Sequence, residues 1–177
     1  MIRAKITGAK EVIAKFEKMG EKGDEEFKKV VDDTAMYIER KAVGYISQNV
    51  KTGTGHLKQS MYTDLTGTDF ALVGNRAEYA GYVEFGTGMQ AQVPQDFSGI
   101  ASAIRSNPKK SFKEGLQAIK DWCKMRGIDV KAAYPIFMSI LRDGVRPRPF
   151  MYPAYRAGIG YMAKEAAKAL NRLINTK

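Results

Sequence analysis

A long amphipathic helix is the feature that most constrains this sequence. Between residues 24 and 46, apolar side chains recur every three or four positions, which places them on one face of an α-helix of about five turns. A helix of this kind must bury its apolar face against other elements, so the chain needs a layered fold around it. The members of the stripe are Phe27, Val30, Val31, Thr34, Ile38, Ala42, Tyr45 and Ile46.

The rest of the N-terminal half contains strand patterns and one shorter helix. Residues 2–6 alternate apolar and basic side chains, as a half-buried strand does, and a short amphipathic helix is predicted between Gly8 and Gly20. The runs SMYTDL and FALVG, separated by the turn-prone TGTD of residues 66–69, predict a β-hairpin. Residues 77–88 are aromatic-rich and suit either a helical turn or a strand.

The C-terminal half is mainly helical by pattern. Residues 89–108 are polar and irregular, which predicts a mobile loop, and two amphipathic helices follow, with Pro135 near the start of the second. Residues 144–150 should be extended because a residue before proline avoids the α region. A last helix is predicted after Pro153. Its apolar residues are Ile159, Met162, Ala163, Ala166, Leu170, Leu173 and Ile174.

Length and composition indicate one ordinary globular domain over residues 1–177, with residues 89–144 as a loop plus helical insertion within it. No run approaches the roughly 18 apolar residues that a membrane span needs, and the N-terminus has no apolar signal-peptide region. The single cysteine, Cys123, cannot form an internal disulfide, which favours a reducing compartment such as the bacterial cytoplasm.

The net charge of +10 is unevenly distributed along the chain. Residues 1–100 hold 13 Lys/Arg and 14 Asp/Glu, whereas residues 101–177 hold 16 and 5. The basic C-terminal part favours an acidic partner, either nucleic acid or an acidic protein face. Solvated helix faces are the alternative explanation.

Residues able to support catalysis are scarce. His56, the only histidine, lies in a glycine-flanked loop without neighbours that would complete a metal site. Cys123 follows Trp122 on the apolar side of a predicted helix, which favours a buried structural thiol over a nucleophile. The acidic pair Asp32–Asp33 points about 100° apart on a helix and cannot share one site. We therefore predict no enzyme, and no catalytic, cofactor-binding or metal-binding residue.

Two short segments have compositions suited to contact with other polypeptides. Residues 82–88, YVEFGTG, form an aromatic run that ends in glycines, where the backbone can adopt conformations closed to other residues. Residues 146–150, RPRPF, are stiffened by two prolines and carry two guanidinium groups suited to carboxylates. Glu84 is a natural carboxylate for Arg146 or Arg148, within a subunit or between subunits. A sheet terminus and a helix-entry linker are the purely structural alternatives.

Three motifs in order make this chain resemble the phage morphogenesis family typified by the gene-ten product of the lambdoid phage Hong Kong 97. They are TGHLKQS at residues 54–60, VEFGT at 83–87 and RPRPFMYPA at 146–154. The departures are small: His56 at an often polar position, and Met151 where leucine is usual. The stretch 89–144 is longer than in short members of the family.

The resemblance implies an α+β fold, with a small curved, mainly antiparallel sheet packed by long amphipathic helices and a helical insertion before the last helix. It also implies a virion protein at the neck or tail top, assembled in the host cytoplasm as a ring, which in several members of the family has six subunits. Head-closure and tail-tube proteins are the expected partners, with DNA possible nearby and no membrane. The predicted partner-binding residues are Tyr82, Glu84, Phe85, Gly86, Thr87, Arg146, Pro147, Arg148, Pro149 and Phe150.

A basic nucleic-acid-binding protein that uses its C-terminal helices is the alternative. The last helix carries Lys164, Lys168 and Arg172, which suit phosphates or carboxylates but do not read base sequence. A small hydrolase is a weaker third interpretation, because no nucleophile–base pair can be named.

Overall fold

The computed structural model describes residues 2–8, 10–50, 55–95 and 112–175. Seven helices and three strands lie within these ranges. They are β1 (Ile2–Ile6), α1 (Lys10–Glu17), α2 (Glu21–Asn49), α3 (His56–Gln59), β2 (Met61–Asp64), β3 (Ala71–Asn75), α4 (Ala80–Phe85), α5 (Phe112–Met125), α6 (Ala133–Asp143) and α7 (Met151–Asn175). Short 3-10 turns lie at Gly88–Gln90 and Val130–Ala132.

The three strands form one antiparallel sheet in the order β1-β3-β2. Ile2 pairs with Asn75 between β1 and β3, and Met61 pairs with the same residue from β2. The alternation in β1 buries Ile2, Ala4 and Ile6. The predicted first strand and the β-hairpin are confirmed, and so is the α+β class.

Helix α2 packs across the sheet and also against α7. Its predicted stripe is buried, apart from the half-buried Tyr45. The face of α7 that is buried consists mostly of small residues, so the backbones of α2 and α7 approach closely. A Cβ atom added to Gly158 would lie 2.3 Å from Cγ1 of Ile38. The larger residues Ile159 and Ile174 are exposed instead.

The chain divides into two compact units. The first comprises residues 1–80 and 149–177, and it contains the sheet with α1, α2, α3 and α7. The second comprises residues 81–148. Within the second unit α5 and α6 pack together, with the rings of Phe112 and Phe137 edge to face at 5.1 Å. Cys123 is fully buried in α5, which confirms the predicted buried thiol.

Three details refine the predictions from the sequence. The unassigned aromatic run contains a helix, α4, rather than a strand. Helix α7 begins at Met151, so Pro153 lies in its first turn, where a missing N–H costs no helical hydrogen bond. Residues 96–108 of the predicted mobile loop lie outside the described residues. Within the described parts, no helix is long and apolar enough to cross a membrane.

Candidate assembly site

Residues 82–88, the first segment singled out in the sequence, lie beside residues 144–148, which include the start of the second, within the second unit. The amide of Thr87 donates a hydrogen bond to the carbonyl of Val145 at 2.9 Å, and the amide of Val145 donates to the hydroxyl of Thr87 at 2.9 Å. Three residues further on, the amide of Arg148 donates to the carbonyl of Val83 at 2.7 Å. Residues 82–88 and 144–148 thus run antiparallel, and we refer to them together as the paired strip.

Glycines allow this close approach. Gly86 has φ +73°, and a Cβ atom there would lie 2.5 Å from the carbonyl oxygen of Val145 and 3.0 Å from Cδ of Pro147. Gly144 has φ +80°, and its Cβ would lie 2.0 Å from the carbonyl oxygen of Thr87. Both positions therefore require glycine for its conformation and for its lack of a side chain.

Some residues of the strip are buried, and others are accessible to solvent. Glu84, Phe85 and Gly86 are buried, whereas Tyr82, Thr87 and Pro147 are half-buried. Arg146 and Arg148 are exposed. The predicted site residues outside the second unit are Pro149, which is exposed, and Phe150, which is buried next to the start of α7.

Glu84 is an unusual member of the site because this charged residue is only 1% exposed. A buried carboxylate is costly unless it is hydrogen-bonded, and no buried side-chain nitrogen or oxygen in the described ranges lacks a hydrogen-bond partner. Arg146 forms no ion pair with any described residue. A pairing of Glu84 with Arg148 stays a prediction.

The surface around His56 offers little for nucleophilic chemistry. Its Nδ1 atom lies 3.3 Å from the hydroxyl of Tyr79 and 3.5 Å from Oγ of Ser60. The second distance exceeds the roughly 2.6–3.2 Å of a nucleophile–base hydrogen bond, and both His56 and Tyr79 are exposed. Burial of part of the ring raises the pKa of Tyr79 above its ordinary value. No group of three or more potential metal ligands occurs among the described residues.

Comparison with known proteins finds that the N-terminal part of the chain is similar to a family of phage tail components. Residues 10–86 match the HK97-gp10-like family model, described as "Bacteriophage HK97-gp10, putative tail-component". The match runs from α1 to Gly86, so it includes the first motif whole and residues 83–86 of the second, but not residues 146–154. It confirms the predicted resemblance and supports a bacteriophage tail or head–tail morphogenesis protein with a structural role in the virion. No curated protein and no solved structure matches the chain significantly.

Proposed function

We propose that this protein completes the tail of a long-tailed phage, at the head–tail joint or the tail terminus, as a ring of identical subunits. A ring of six follows from the family resemblance. Its neighbours in the virion would be head-closure and tail-tube proteins, and assembly would take place in the cytoplasm of the host bacterium. Docking, rather than chemical transformation, is the activity that the described residues support.

The observation that carries the proposal is the backbone of the paired strip. Its hydrogen bonds are made by main-chain atoms and the hydroxyl of Thr87, so they fix the course of residues 144–148 without using the guanidinium group of Arg146. A preorganised segment loses little conformational entropy on binding. The exposed Arg146 can then make charge-assisted hydrogen bonds to a carboxylate of a neighbouring subunit or tail-tube protein.

Contacts between subunits of a ring are heterologous, since one patch meets a different patch on the next subunit. The buried residues of the site, Glu84, Phe85, Gly86 and Phe150, would act by supporting the strip and the start of α7. Direct contact would fall to exposed or half-buried members: Tyr82, Thr87, Arg146, Pro147, Arg148 and Pro149.

Charge reversal on the strip tests its role. Phage carrying Arg146→Glu or Arg148→Glu should yield folded protein but separate heads and tails, counted by negative-stain microscopy of lysates. Arg126→Glu is the matched control, because Arg126 is exposed in the same unit and forms no ion pair with a described residue. If heads and tails joined normally in both strip variants, the paired strip would have no role in docking.

The ring and the nucleic-acid alternative need separate measurements. Negative-stain images of purified protein and of joined particles should show rings of uniform size at the neck or tail end. In filter binding, a function through DNA predicts association that falls steeply with salt, because phosphate contacts release counterions. Weak DNA association at every salt concentration, together with rings, favours the assembly role.

A further inference from the structure

A cleft of about 470 Å³ opens in the first unit between the end of α1 and the last turns of α7. Its apolar lining comes from Met19, which follows α1, and from Leu170 and Ile174, one turn apart on α7. Ile174 is 59% exposed, so its side chain is accessible from the cleft.

The packing of α7 explains why these side chains are available. Small residues, including Ala166 and Ala169, occupy the buried face of the helix near this end. The larger Leu170 and Ile174 are therefore displaced to the flank, where they face the cleft instead of the core.

Cations line both sides of the apolar lining. Lys15 and Lys18 stand on the α1 side, are exposed and form no ion pair with any described residue. On the other side Lys168 and Arg172 line an adjoining polar depression of about 590 Å³, and Asn171 borders both hollows. Lys168 pairs with Glu165, and Arg172 pairs with Glu26, but the two cationic side chains remain 64% and 60% exposed.

We infer that this cleft binds an amphipathic helix of a partner polypeptide, with its apolar side chains in the cleft and acidic residues on both flanks. A helix presents side chains at i, i+3 and i+4, which can interlock with the one-turn spacing of Leu170 and Ile174. Carboxylates on the two flanks would meet Lys15 and Lys18 on one side and Lys168 and Arg172 on the other. This surface contains none of the predicted site residues, so the inference stands apart from the proposed role of the paired strip.

Nucleic acid fits the same surface less well. Single strands bind through aromatic side chains on which bases stack, and none of the described residues that line either hollow is aromatic. A duplex backbone would use the lysines but would leave the apolar lining in water. The combination of an aliphatic lining and basic flanks favours a peptide.

The test measures binding of labelled synthetic helical peptides of about 18 residues to the full chain by fluorescence anisotropy. One peptide has leucines on one face and glutamates on both flanks; the second has lysines in place of the glutamates. The acidic peptide should bind, and the basic one should bind at least about tenfold more weakly. Ile174→Glu should lower the affinity for the acidic peptide by about tenfold or more, the equivalent of about 1.4 kcal/mol. The double variant Lys15→Glu/Lys18→Glu should lower it by a similar factor.

Two control variants match these changes outside the cleft. Ile159→Glu places the same charge at an exposed isoleucine near the other end of α7, and Lys164→Glu reverses an exposed lysine that lines neither hollow. Both should bind the acidic peptide as the unmodified protein does. Equal affinity for the two peptides, or an equal loss in control and cleft variants, would overturn the inference. So would binding of a DNA duplex or anionic vesicles that exceeds peptide binding and is lost in the same cleft variants.

Discussion

The amide of Arg148 lies 2.7 Å from the carbonyl oxygen of Val83, and this hydrogen bond joins two segments that are 65 positions apart in the chain. Main-chain atoms alone make it, so it survives replacement of the arginine side chain. The bond that holds the segment is therefore kept in Arg148→Glu, while Arg146→Glu also leaves the predicted pair of Glu84 and Arg148 in place.

The steric role of Gly86 leads to the first stability prediction. Gly86→Ala should cost roughly 1–3 kcal/mol more than Gly127→Ala, because both residues have positive φ but only Gly86 has atoms in the way of a Cβ. Urea unfolding followed by fluorescence of Trp122, the only tryptophan, would report on the second unit. If the two variants lost the same unfolding free energy, the two segments of the strip would be able to move apart and accept a Cβ at Gly86 without a loss of stability.

Packing between α2 and α7 leads to the second stability prediction. Gly158→Ala should destabilise the protein by about 1–3 kcal/mol, since its Cβ would overlap Ile38. Gly160→Ala, on the same helix with open space around it, should instead stabilise by about 0.5–1 kcal/mol. In a double-mutant cycle, Gly158→Ala should cost less unfolding free energy in an Ile38→Ala background than in the unmodified protein. Strict additivity of the two changes would contradict the contact.

Asn75 links three parts of the first unit. Its buried amide donates to the carbonyl of Leu57 at 2.6 Å, and its side-chain oxygen accepts from the amide of Ala77 at 2.9 Å. Asn75→Ala should therefore cost about 2 kcal/mol or more, because it leaves two backbone groups without this partner. The exposed Asn49 gives a control, for which Asn49→Ala should change the free energy of unfolding by less than about 0.5 kcal/mol.

Acid should weaken the ion pair between Glu26 of α2 and Arg172 of α7. Hydrogen bonds from Arg172 and then Lys29 hold the pKa of Glu26 below its ordinary value. A lowered carboxyl pKa in the folded state stabilises the fold above the pKa of the unfolded chain, about 4.3, and that contribution is lost as the pH falls through the lower folded pKa. Glu26→Gln should cost up to about 1 kcal/mol at pH ~7, because the pair is partly exposed, and nothing at pH ~2.

The measurement is the difference in unfolding free energy between the unmodified protein and Glu26→Gln at the two pH values. Glu25→Gln is the matched control, since Glu25 is exposed and has no ion pair with a described residue. A difference that is the same at both pH values would mean that the ion pair contributes nothing.

Periodic elements of the fold could be predicted from the sequence, and contacts between distant segments could not. The stripe from Phe27 to Ile46 and the alternation in residues 2–6 repeat often enough to indicate which face is buried. By contrast, Tyr79, Tyr82 and Val83 are equally compatible with a strand and a helical turn. In the structure they lie in helix α4, and residues 83 and 87 form hydrogen bonds to the distant residues 148 and 145, which no local pattern contains.

The last helix shows another limit of pattern reading. Apolar size suggested that Ile159 and Ile174 would face the core, but both are exposed, and glycine and alanine take the contact with α2. Burial there is decided by how closely two backbones can approach, which a hydrophobicity pattern does not contain. Within the candidate site, the residue types were visible in the sequence, whereas the burial of Glu84 and Phe150 was not.

Main-chain bonding in the paired strip also bears on how such a surface can change over time. Since its path does not depend on the outward side chain at residue 146, substitutions there can alter charge and shape while the scaffold keeps its geometry. A lineage could thus acquire compatibility with a different neighbour through a few surface codons, whereas Gly86 and Gly144 would have to stay as they are.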